Sequence, residues 1–118
     1  MGDYRKAIQV SEQGLVIQRD IGDREGEAAT LINISDDYLS LGDYNKAVQF
    51  SEQALGIQRE IGGREIEAIG LFNIGLGLDK LGERELAIER TKSALEIFEE
   101  IESPNAEEVR QKLSELLK

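Results

Sequence analysis

The chain contains no cysteine and no histidine, which excludes disulfides, thiolate nucleophiles, Cys/His zinc sites and imidazole acid–base catalysis together. Tryptophan is also absent and there is a single proline, while 40% of the 118 residues are hydrophobic and 32% charged; this composition is neither disordered nor fibrous. No run approaches the roughly 18 apolar residues of a membrane span. The N-terminus MGDYRKAIQVSEQ lacks a basic head followed by an apolar stretch. A soluble, cytoplasmic protein with no membrane partner is therefore expected. Basic residues are scarce: 14 Lys and Arg stand against 24 Asp and Glu, giving 14 − 24 = −10, and they lie singly among acids. A nucleic-acid backbone would be repelled. The plain reading of this charge is solubility, and the sharper one is attraction to a basic partner.

What is present is a repetition. Residues 2–41 laid over 42–81 without a gap give 23 identities in 40, and a diverged third copy begins at GERELAIERTKSALEIFEEI, 82–101. A period of 40 indicates stacked supersecondary units. Leu31, Ile34, Ser35, Tyr38 and Leu41 share one side of a helix of about 17 residues. Gly42-Asp43 suits a turn, and Tyr44, Ala47, Val48, Ser51, Ala54 and Leu55 mark a second helix running to Ile61. Small residues at Ser35 or Gly75 and at Ala47 and Ala54 allow the two helices of a hairpin to approach closely.

The stretch LINISDDYLSLGDYNKAVQFSEQAL, 31–55, resembles a tetratricopeptide repeat. Leu31, Ile34-Ser35, Tyr38, Gly42, Tyr44, Ala47, Ala54 and Leu55 occupy the pattern's places, as do Leu71, Ile74-Gly75, Leu78, Gly82, Ala87, Ala94 and Leu95 one period on. The repeat departs from the common 34 residues. Its 40-residue length, with the IQREIGGRE segment, is similar to the long subclass found in peptide-binding scaffolds. The resemblance implies an all-α fold, a right-handed α-solenoid of stacked antiparallel helix hairpins, and a non-enzymatic interaction module. As one domain over 1–118, the chain divides into the second helix of a first repeat (2–22), two full repeats (23–62 and 63–102) and a capping helix (103–118). Ser103 as N-cap with Pro104 at the first helical position starts that last helix.

The candidate site is the concave side of the first helix in each hairpin. Ile32, Asn33, Asp36 and Ser40 lie there in one repeat, and Ile69, Phe72, Asn73, Leu76 and Lys80 in the next. A carboxamide offers donor and acceptor, so Asn33 and Asn73, one period apart, can pair with the main chain of an extended protein or peptide ligand; the resemblance implies such contacts. The plainer reading is that each Asn binds a neighbouring helix or water. Ile69, Phe72 and Leu76 are apolar where exposure is expected, and an apolar anchor, the terminal helix or a second chain would each cover them. Gly70 and Gly77 weaken the helix over 64–80 by about 1 kcal/mol each relative to Ala, which suggests a helix that yields to a ligand. Adjacent acids such as Asp36-Asp37 point apart on a helix, and no calcium loop, phosphate loop or serine triad is present. Neither enzyme activity, a cofactor nor a metal is expected. The alternative expectation is a structural element that forms a homodimer through the uncapped N-terminal helix or the apolar side of helix 64–80.

Overall fold

The computed structural model describes residues 2–118. Six α-helices follow one another: α1 (Tyr4–Ile21), α2 (Arg24–Leu41), α3 (Tyr44–Ile61), α4 (Arg64–Lys80), α5 (Arg84–Glu100) and α6 (Ala106–Leu116). Each packs on the next, and α2 also meets α4, so the hairpins stack into an α-solenoid slab of 43 × 30 × 23 Å.

The turns repeat at half the sequence period. Gly22, Gly42, Gly62, Gly82 and Glu102 adopt positive φ of 74, 82, 79, 83 and 56°, the left-handed stop that glycine takes without a Cβ penalty. The amide of the next residue reaches back to close each helix: Asp23 to the Gln18 carbonyl at 2.9 Å, Asp43 to Tyr38 at 3.0 Å, Gly63 to Gln58 at 3.1 Å, Glu83 to Leu78 at 2.9 Å and Ser103 to Phe98 at 2.8 Å. Asp3, Asp23 and Asp43 then cap the following helix, their carboxylates accepting from the amides of Lys6, Gly26 and Lys46. Stop and start signals are thus adjacent, leaving two residues in which the chain reverses.

The last helix starts later than its sequence signal. Ser103 Oγ accepts from the Asn105 amide at 3.1 Å, as an N-cap should, yet this first turn is irregular and the helix proper begins at Ala106. Arg84 donates to the Leu116 and Lys118 carbonyls and Lys112 to Asp79 at 2.9 Å, tying α6 to the hairpin before it.

Two apolar clusters form the core. One joins Ile8 and Leu15 to Ala28, Leu31, Ile32, Ile34, Ala54 and Ile57, and the other joins Leu55, Leu71, Ile74, Ile97 and Phe98 to Ala106 and Val109. Leu31, Ile34, Leu55 and Ile74 are at most 1% exposed, each such burial stabilising by about 1.5–3 kcal/mol. Within a hairpin the close approach is polar: Ser35 Oγ donates to the Ala47 carbonyl at 2.9 Å and lies 2.5 Å from Ser51 Oγ.

Between hairpins an ion-pair lattice recurs. Buried Glu27 accepts from Arg19 and Arg24, both at 3.0 Å, and Arg24 also reaches Glu60 at 2.7 Å. One period on, Glu67 pairs with Arg59 at 3.5 Å and Arg64 at 3.0 Å, and Arg64 with Glu100 at 2.8 Å. The IQREIGGRE segment therefore places its charges at the junction between repeats.

Gly70 and Gly77 correct the expectation of a yielding helix. A Cβ at Gly77 would stand 2.7 Å from Val48 Cγ2 and 3.4 Å from the Tyr44 carbonyl; one at Gly70 would stand 3.5 Å from Ile32 Cδ1 and 3.6 Å from the Ser51 carbonyl. Gly77 lets α4 sit against α3, as Gly75 lets it sit against α5, whereas a Cβ at Gly70 would make only ordinary contacts with α2 and α3. Gly75 and Gly77 are packing positions, and α4 is held on three sides.

Candidate functional site

Four helices line a groove of about 450 Å³. Asp36, Leu39 and Ser40 of α2 form one wall; Ile69, Phe72, Asn73 and Leu76 of α4, with Phe98 of α5 beneath, form the floor; Asn105 and Glu108 of α6 form the other wall. A shallower extension continues from Phe72 and Leu76 past Gln111, Lys112 and Glu115. The alternation of small and large residues along α4 explains the floor. Its glycines face the packed helices while Ile69, Phe72 and Leu76 remain half-buried between α2 and α6.

Most of the expected residues assemble here: Asp36, Ser40, Ile69, Phe72, Asn73 and Leu76 share the groove. Asn33 lies exposed on α2 and Lys80 at the end of α4, both outside its lining. Ile32 departs from the expected exposure. It is 6% exposed and belongs to the core, because α4 packs directly over it at Gly70.

The two asparagines are not equivalent either. Asn73 is 5% exposed, and its Nδ2 donates to Asp36 Oδ1 at 2.8 Å. Since a carboxylate only accepts, the amide must turn its NH2 toward Asp36, which leaves a second N–H and the carbonyl oxygen of Asn73 available. Its counterpart Asn33 has α1 rather than a groove-forming helix on its preceding side, and stays open. Burial of Asp36 raises its pKa; the Asn73 hydrogen bond opposes that rise and the charge of Asp37 adds to it. Asp37 is itself raised, by burial.

Of the three coverings considered for Ile69, Phe72 and Leu76, α6 is the one seen, and it covers them only in part. Asn105, Glu108 and Gln111 were missed in the sequence because 103–118 reads as a cap. The signal was there: Pro104 stands 40 residues after Arg64, the first residue of α4, so α6 occupies the place of a further first helix and must contribute to the same wall.

On the other side of the slab α1 carries an unpartnered seam. Ala7, Val10, Gly14, Ile17 and Ile21 recur at alternating spacings of three and four, with Val10, Ile17 and Ile21 60, 60 and 71% exposed. Ile57, one period after Ile17, is only 6% exposed, because α2 covers that side of α3.

Comparisons with known proteins agree with this architecture. The family described as tetratricopeptide repeat matches residues 1–60. No curated protein sequence matches the chain. The crystal structure of the apo form of RapI superposes with a TM-score of 0.88 at 21% identity, over 92% of this chain and 40% of that one; the chain therefore spans well under half the length of that structure. The N-terminal domain of stress-induced protein-1 (STI-1) from C. elegans superposes with a TM-score of 0.67 at 19% identity, each chain covered completely.

Proposed function

The chain belongs to the tetratricopeptide-repeat family, whose members are non-enzymatic protein-interaction modules, and from that premise we propose that it holds an extended segment of a partner protein in the groove between α2, α4 and α6. The observation that carries this reading is the floor. Phe72 and Leu76 stay half-buried and reachable in a helix otherwise sealed on three sides, and a groove of this size takes one bulky apolar side chain with its flanking backbone. Ser40 and Asn33 extend the polar wall along which that backbone would run.

The test is a selection of random dodecapeptides displayed on phage against the immobilised chain, with the enriched peptide titrated into isotope-labelled protein. Amide shifts should cluster at Asn33, Ser40, Phe72, Leu76 and Glu108, and Phe72→Ala should weaken binding about tenfold or more. Shifts confined to the convex side, or no enriched peptide, overturn the reading.

A second reading draws on the α1 seam, where Ile17 is exposed while its equivalent Ile57 is covered by a helix. Two copies meeting through antiparallel α1 helices would bring Gly14 against Gly14 at the centre and set the Arg5-Lys6 end beside the Asp20 end of the other copy. Sedimentation equilibrium over a dilution series should then show a dimer that Ile17→Glu converts to monomer. A monomer at every concentration removes this reading.

A further inference from the structure

The groove's charged groups are of one sign, Asp36 and Glu108. Asn73 donates one amide hydrogen to Asp36, and its carbonyl oxygen accepts no hydrogen bond from the described residues. Asp36 has a second carboxylate oxygen left, and Glu108 on the opposite wall makes no ion pair among the described residues. Ser40, Asn105 and the second N–H of Asn73 can still donate, yet the two carboxylates are the only charges in the lining. The cation nearest this wall, Lys112, is drawn away to Asp79 at 2.9 Å, and Lys80 lies beyond the groove, one turn past Leu76. Asn73 is 5% exposed as a residue, and its carbonyl oxygen remains open to the groove, where a donor from outside the chain can reach it. The Asp36 carboxyl, exposed as a residue and with its pKa raised by partial desolvation, has no cation beside it.

We propose that the segment held in the groove carries an arginine or lysine beside its bulky apolar side chain, the cation reaching Asp36, the Asn73 carbonyl and Glu108 while the apolar group rests on Phe72 and Leu76. This rests on the groove reading above and narrows it to a chemical class. A guanidinium fits best: its five N–H donors can serve a carboxylate and an amide oxygen together, and its plane can lie on the Phe72 ring. A peptide with acid in the same place would meet two carboxylates and no cation in the groove lining.

The net charge of −10 would itself attract basic peptides anywhere on the surface, so the experiment separates local from global charge. The peptide selection is run on the wild type, on Asp36→Asn/Glu108→Gln, and on Glu12→Gln/Glu89→Gln, which removes the same charge from exposed positions outside the groove. The wild type and the outer variant should both enrich Arg or Lys within a few residues of a bulky apolar position. The groove variant should keep the apolar preference, lose the basic one, and bind the wild-type consensus about tenfold more weakly. Basic enrichment that survives in the groove variant, or that vanishes equally in the outer variant, overturns the proposal. Peptides that require Phe72 but show no basic preference overturn it and leave the groove reading standing, whereas no groove-bound peptide at all sinks both.

Discussion

The two hairpins solve one packing problem in different ways, and exchanging the solutions tests why. Where α2 meets α3, Ser35 faces Ser51 with their oxygens 2.5 Å apart. One period later Gly75 faces Thr91, and a Cβ on Gly75 would stand 2.5 Å from Thr91 Oγ1 and 3.3 Å from the Ala87 carbonyl. Thr91 is 0% exposed and its hydroxyl has no partner. Gly75→Ser alone pushes a side chain into that hydroxyl and should destabilise by about 1–3 kcal/mol, offset by up to about 0.5 kcal/mol of helix propensity. Thr91→Ser alone removes a buried methyl and should cost about 1 kcal/mol. Together they rebuild the Ser35–Ser51 pair: the smaller residue makes room and the orphaned hydroxyl gains a partner worth about 1 kcal/mol. The double variant should therefore lie within about 1 kcal/mol of the wild type, a coupling of about 1–2 kcal/mol. Urea unfolding followed by circular dichroism measures all four proteins, with an unchanged denaturant slope as the check that one transition is compared. Losses that simply add would refute the idea that these positions form one unit.

Other expectations follow from the same geometry. Glu102 alone among the five helix stops lacks glycine, at φ 56°, so Glu102→Gly should raise stability by about 1 kcal/mol; a thermal melt showing no gain would mean the strain is absent. Glu27→Ala strands Arg19 and Arg24 at the repeat junction and should lower stability by about 1–3 kcal/mol, the partial exposure of both arginines limiting the loss. Asp36 has its pKa raised by burial, so folding disfavours its charge. Asp36→Asn should be more stable than the wild type at neutral pH, and the gap should close as pH falls through the interval between the ordinary carboxylate value and the raised one. Parallel stability curves across that interval would contradict the assigned burial.

Much of this protein was written in short-range and periodic signals. The Gly-Asp pairs at 22–23 and 42–43 set where helices stop and start through their own backbone geometry, and the stripe of Leu31, Ile34 and Ser35 determined which side of α2 turns inward. The 40-residue identity then required those hairpins to stack, since equal sequences bury equal sides. The groove floor of Ile69, Phe72 and Leu76 was legible for the same reason. What the chain could not reveal locally was the result of three helices meeting. Ile32 and Asn33 are adjacent on one helix, yet only the first is sealed, because α4 closes over it. Asn33 and Asn73 are identical in pattern, yet only the second donates to Asp36. Likewise α6 became a wall only when its register against α4 was set by Lys112, Asp79 and Arg84. Periodicity reports the angle at which a side chain leaves its own helix; how near the next helix comes depends on the residue missing from the facing surface, and that distance exists only in the folded slab.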